Sequence, residues 1–254
     1  MRSALRLGLA LALLPISACR SSGDAPRTWD FVAEDGDLVL ESGSYVGGDV
    51  HARTIFVPPD VVVEVTDDLV LAASDWIRVE GELRVIDAAR GGEWIDAADL
   101  HLRSNGAILV TGAVTGGRGR DLDGVTDPAF LDTKGGNGSR LAFEAAALFL
   151  HGQVRSGDGG TGALGGEGGD GGSIDWCEFG DGTDARFASF RSAALVASRS
   201  DGERFLRAGD GGTGGPAVRE VRDGEGGAGG DGGDSVPFER GEWSFDRRRT
   251  LTNP

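Results

Sequence analysis

From Ile55 to Val85 the chain keeps its apolar residues in phase. Ile55, Val57, Val61, Val63, Val65, Leu69, Leu71, Ile77, Val79, Leu83 and Val85 all fall on odd positions. Successive side chains of a strand point to opposite faces, so a period of two predicts short strands with one buried face. Pro58-Pro59-Asp60, Asp67-Asp68 and Gly81 supply the turns between them. No stretch carries an amphipathic-helix stripe. Ala-rich Leu141–Leu150 admits a helical turn, yet it runs into strand-like residues ending at Gly152.

The strands recur as units of a β-pair followed by glycines. One runs from Trp76 through Gly81 to Gly91-Gly92, the next from Leu100 through Gly106 to Gly116-Gly117. Two more start at Leu148 and Leu195 and end at Gly159-Gly160 and Gly211-Gly212; the four starts lie 24, 48 and 47 residues apart. Units that cannot bury their own apolar face stack as a solenoid, and strands without helices make that solenoid a β-helix. The run Val57-Pro58-Pro59-Asp60-Val61-Val62-Val63-Glu64-Val65, followed by Leu69-Val70-Leu71 and Ile77-Arg78-Val79-Glu80-Gly81, resembles the first rungs of right-handed parallel β-helix proteins of the pectate-lyase-like superfamily. The resemblance covers residues 37 to about 215. It implies an all-β domain over 37–254, a solenoid with glycine-rich insertions at 155–173 and 207–234. A β-sandwich, also built from short alternating strands, is the alternative.

Glycine, 45 of 254 residues, is concentrated in a duplication. Arg155-Ser156-Gly157-Asp158-Gly159-Gly160-Thr161-Gly162 returns 52 residues later as Arg207-Ala208-Gly209-Asp210-Gly211-Gly212-Thr213-Gly214, an offset read as about two rungs. Each copy leads to a second block, Gly165–Ser173 and Gly226–Asp234. Three readings compete. Both second blocks match the front of the calcium-binding repeats-in-toxin nonapeptide, which makes Asp158, Asp170, Asp210 and Asp231 candidate ligands. Gly172 and Gly233 depart from it, standing where the nonapeptide needs a large apolar residue. In the second reading, Gly-Gly-x triplets form an extended helix of three residues per turn, with Glu167, Asp170 and Ser173 along one edge and Ala228, Asp231 and Asp234 along the other copy's edge. The third treats both segments as solvated loops projecting from the solenoid. A phosphate-binding loop is excluded by the missing Gly-x-x-x-x-Gly-Lys-Ser/Thr and by the surrounding acids.

The first eighteen residues read as a leader. Arg2 and Arg6 precede the apolar run Leu5–Leu14, which is too short to span a bilayer and suits a secretory signal. Ile16-Ser17-Ala18-Cys19 resembles the lipobox of bacterial lipoproteins, which implies cleavage before Cys19 and its acylation. Two or more acyl chains there give a stable membrane anchor. Arg20 in place of an aspartate favours the outer membrane within that family, and residues 19–36 read as the acylated cysteine and its tether. Acylation of Cys19 leaves Cys177 without a partner in the chain. It lies among acids and aromatics, and a buried, inert thiol is expected there.

The net charge is −16, and removal of the leader leaves 23 basic against 41 acidic residues, or −18. Such a surface excludes nucleic acid and a basic membrane patch as partners. Asp67-Asp68 reads as a turn rather than a catalytic pair, and Arg247-Arg248-Arg249 as a solvated terminus. His51, His101 and His151 show no metal-ligand spacing; His101 and His151 are expected to point to solvent. Trp76, Trp94 and Trp243 suit packing, with Phe238–Phe245 as a cap over the last rung. The expected function is a lipid-anchored cell-envelope protein with a structural, adhesive or ligand-binding role, without catalysis and without a required cofactor. Its partners would be the membrane through lipid, and envelope polysaccharide or another surface protein. The alternatives are a polysaccharide lyase or hydrolase and a calcium-stabilised surface module.

Overall fold

The structure is a computed structural model, and it describes residues 36–88, 95–123, 132–178, 206–207, 209–214, 228–233 and 235–237. The described residues are all-β, with no helix. The strands are β1 (Asp37–Val39), β2 (Gly43–Tyr45), β3 (Gly48–Val57), β4 (Val62–Val65), β5 (Leu69–Val79), β6 (Glu82–Val85) and β7 (Leu100–Val110). They continue with β8 (Ala113–Thr115), β9 (Leu141–Leu150), β10 (Gln153–Arg155), β11 (Ile174–Glu178), β12 (Leu206–Arg207) and β13 (Ser235–Pro237). Odd-numbered strands form one sheet of seven, and even-numbered strands form a second sheet of six. Within each sheet the strands stand in chain order and every pairing is parallel. The antiparallel pairing of a β-sandwich is therefore not found among the described residues. Leu141–Leu150, where a helical turn was admissible, is strand β9.

The alternation read from the sequence is the alternation of burial. Ile55, Val57, Val63, Val65, Leu69, Leu71, Ile77, Val79, Leu83 and Val85 are all buried in one cluster that draws on both sheets. Its members stack on like partners: Ile55 on Ile77, Ile77 on Ile108, Ile108 on Leu148. Parallel, in-register pairing places each apolar residue beside the same type of neighbour, so one sequence pattern extends the core. An irregularity crosses the seven-stranded sheet between Ala52 and Thr54 and between Ser104 and Ala107. Inward-facing residues keep their phase across it in β5, at Ala73 and Ile77, but change phase in β3, from Val50 and Ala52 to Ile55 and Val57.

The units differ from the repeat read in sequence. Leu69 pairs with Leu100 and Leu100 with Leu141, whereas Trp76 is opposite Ala107, so the motif starts at Trp76 and Leu100 are not equivalent. Paired positions lie 21 or 22 residues apart from β3 to β5, 31 from β5 to β7 and 41 or 40 from β7 to β9, the change falling at the irregularity, with no constant interval near 24. The duplicated module spans one step of the sheet rather than two, because Val154 pairs with Leu206 and Arg155 with Arg207.

Where it is described, the variable length is glycine-rich chain that lies in hydrogen-bonded layers and does not project as loops. Gly116, Gly119 and Leu122 donate their N–H groups to the carbonyls of Arg155, Asp158 and Thr161. Gly135, Gly138 and Leu141 likewise donate to Glu167, Asp170 and Ser173. Other neighbours run antiparallel: Gly166, Gly169 and Gly172 donate to Ala163, Gly160 and Gly157, while Gly209 and Gly212 donate to Gly172 and Gly169. Partners that repeat every third residue mark extended segments with three residues per turn. The described glycine segments thus become layers laid against one another. Glycine is required by close approach, since a Cβ at Gly157 would lie 1.7 Å from the Gly117 carbonyl oxygen.

Candidate functional site

Two places gather polar groups. The first is the outer surface of the seven-stranded sheet. Parallel register puts His51, Ala72, Arg103 and Glu144 in one outward row, beside a row of Val70, His101, Ala142 and Asp175. His101, Glu144 and Asp175 are buried despite facing away from the core, which corrects the expectation that His101 points to solvent. His101 Nε2 lies 3.7 Å from Glu144 Oε2, and Arg103 Nε lies 3.4 Å from the same oxygen. Arg140 pairs with Asp175, which also accepts from Ser173 Oγ at 3.1 Å. Burial, reinforced by the positive charges of Arg103 and Arg140, lowers the His101 pKa to about 4. Desolvation dominates, so the imidazole is neutral at pH 7. Alongside lies a groove of about 390 Å³ bounded by Ala52, Ala72 and Ala73 with His51, Ser74, Arg103 and Asn105.

The second place is the edge of the glycine layers, where short polar side chains link one layer to the next. The N–H of Asn137 donates to Asp96 Oδ1 at 2.7 Å, that of Asp170 to Asn137 Oδ1 at 3.0 Å, and that of Asp231 to Asp170 Oδ1 at 3.0 Å. A second column runs from Asp68 through Asp99 to Arg140, each N–H donating at 2.8 Å to the preceding carboxylate. A third joins Asp158 Oδ1 to the N–H of Asp210 at 2.9 Å.

The four candidate calcium ligands therefore fall into two linked pairs, Asp158 with Asp210 and Asp170 with Asp231. The other oxygen of Asp158 meets Arg155 at 2.6 Å, and that of Asp170 meets Lys134 at 2.5 Å. Among the described residues no three His, Cys, Asp or Glu side chains converge on a metal-sized site. Asp67-Asp68 is a turn, with the Asp68 N–H on Asp67 Oδ1 at 2.8 Å. His51 is exposed, and His151 stacks on Phe149 with ring centroids 6.5 Å apart. Trp76 is half-buried and Trp176 packs against the core. Cys177 lies in β11 at the register position opposite Glu144. The leader, Cys19, Trp94, Trp243, Phe238–Phe245 and Arg247–Arg249 lie outside the described residues.

Asp96, Asp99 and Asn137 escaped the sequence reading because they stand outside the duplicated module. Their signal was an Asp or Asn near each entry to a glycine segment. No family model matches this chain, and no curated protein or solved structure is similar to it.

Proposed function

We propose that the chain is a right-handed parallel β-helix, held at the bacterial cell envelope by acylation of Cys19, with a structural and adhesive role and no catalysis. The observation that carries this reading is the stacking of glycine segments into hydrogen-bonded layers beside the two parallel sheets. Chain devoted to such layers builds extent and rigidity, with backbone donors paired to carbonyls of adjacent segments. Strands in chain order in two sheets are what one turn of a β-helix contributes with each pair of strands. The lipobox-like Ile16-Ser17-Ala18-Cys19 supports the anchor, and Arg20 supports the outer membrane.

The non-catalytic part draws support from how the buried acids are held. Glu144 and Asp175 each face a guanidinium, whereas a hydrolase sets two carboxylates across a cleft from one another. The layers need no metal in this reading, because Asp158 and Asp170 already hold a backbone N–H and a basic side chain each. A second reading, binding of an envelope polysaccharide, is favoured by the groove over Ala72 and Ala73 with Arg103 and Asn105 at its rim.

Fractionation of cells labelled with a palmitate analogue tests the anchor. Label is expected on the unaltered chain in the outer membrane and absent from Cys19→Ala, which should be released. A membrane-bound Cys19→Ala chain contradicts it.

A further inference from the structure

Two of the three asparagines, Asn105 and Asn137, stand directly before a glycine. In that pair the amide nitrogen of the second residue can attack the side chain of the first. Glycine has no Cβ to block the approach, and its backbone turns freely. The fold holds the two pairs differently. Asn137-Gly138 is tied into the glycine layers. The Asn137 N–H donates to Asp96 Oδ1 at 2.7 Å, its Oδ1 accepts the Asp170 N–H at 3.0 Å, and its carbonyl accepts the Ala97 N–H at 2.9 Å. The Gly138 N–H, which would supply the nucleophile, donates to the Asp170 carbonyl at 2.9 Å. A Cβ at Gly138 would lie 2.0 Å from the Gly157 oxygen, so this backbone has no room to turn.

Asn105-Gly106 lies in the irregularity of the seven-stranded sheet. Ser104 pairs with Ala73 and Ala145, and Ala107 with Trp76 and Ala147, so the register skips Asn105 and Gly106 on both sides. Across this step β7 carries one residue more than β9, and a bulge leaves its extra residue outside the ladder. The Asn105 side chain is exposed on the groove that Arg103 also lines, and no hydrogen bond holds it among the described residues. The Gly106 N–H donates to Ser104 Oγ at 3.1 Å, a contact within its own strand. Gly106 is buried, but the atom it must reach belongs to its neighbour. Solvent needs access only to Asn105.

We propose that Asn105 is a site of spontaneous deamidation, and that the layers protect Asn137 from the same reaction. The Gly106 nitrogen bonds to Asn105 Cγ, the Cγ–Nδ2 bond breaks, and the Gly106 proton leaves with the departing ammonia. Water then adds to one or other carbonyl of the cyclic imide and opens it to aspartate or isoaspartate. Water is the only co-reactant. The product adds a carboxylate to a groove lined by Arg103, Ser74 and Asn105 and by no acid. The charge of the groove thus changes with the age of the molecule. This chemistry is independent of the anchor and of what the groove binds.

Peptide mass spectrometry of the full chain, incubated folded in mildly alkaline buffer with detergent, tests it. A parallel sample unfolded in urea is followed until both pairs have converted, which sets the time over which the folded chain is read. In the folded chain Asn105 is expected to become aspartate and isoaspartate at least about tenfold faster than Asn137. In urea that difference should vanish. Asn105 that stays an amide in the folded chain over this time overturns the proposal. Equal rates at Asn105 and Asn137 in the folded chain overturn it as well, because the fold would then not distinguish the two pairs.

Discussion

Asn137 accepts the backbone N–H of Asp170 on its side-chain oxygen at 3.0 Å, and Asp170 does the same for Asp231 in the next layer. Asn137 and Asp170 are each both recipient and provider. An extended glycine helix leaves one N–H in three facing sideways, and a short oxygen-bearing side chain one layer down reaches it. Replacing Asn137 by Ala should cost about 1–2 kcal/mol in urea denaturation, the cost of leaving a partly buried N–H unmade. Asp170→Asn keeps the acceptor oxygen and removes the charge paired with Lys134, so it should cost under about 1 kcal/mol.

Close approach gives a sharper contrast between glycines. Gly157→Ala places a Cβ 1.7 Å from the Gly117 oxygen, backbone that cannot swing aside. It should destabilise by about 3 kcal/mol or more. Among the described residues the atom nearest a Cβ at Gly232 is 3.9 Å away, so Gly232→Ala should change stability by no more than about 0.5 kcal/mol. Equal effects would refute the layered packing.

His101 makes stability depend on pH. Its pKa falls to about 4 in the folded chain, first through burial and then through Arg103 and Arg140. Below the unfolded value of about 6.5 the unfolded chain takes up a proton that the folded chain refuses. Stability is therefore fully present above pH 6.5 and is lost as pH falls toward 4. The loss attributable to this residue should reach about 3 kcal/mol. Urea titrations of His101→Gln should show a correspondingly flatter dependence between pH 6.5 and 4.

The aspartates of the glycine segments bear on calcium. Asp158 and Asp170 already hold an N–H with one oxygen and Arg155 or Lys134 with the other. A cation would have to displace those partners. The melting temperature should not change when EGTA is added, and a rise on adding calcium would contradict this reading.

What the sequence made readable follows from how local each signal is. Alternation at Ile55, Val57, Val63 and Val65 is a property of single strands, and it located the core directly. Parallel pairing is not local. Leu69 and Leu100 are partners 31 residues apart, and the apparent repeat at Trp76 and Leu100 slipped because glycine chain of changing length separates the strands. The three-residue edge at Glu167, Asp170 and Ser173 was one of three readings, and it matches the observed bonds to Gly135, Gly138 and Leu141. Which segment each edge would meet depended on stacking order. His101 faces outward by alternation, but its burial arises from three-dimensional cover that no period in the sequence encodes.

Amide hydrogen exchange by NMR on the glycines tests the layered architecture most directly. Gly157, Gly160, Gly169, Gly172, Gly209 and Gly212 donate to glycine or serine carbonyls of adjacent segments. Their amides should exchange roughly a thousandfold or more slower than free peptide, as about 5 kcal/mol of opening free energy gives. Exchange of these six amides at free-peptide rates, in a chain whose strands β5, β7 and β9 stay protected, would contradict it.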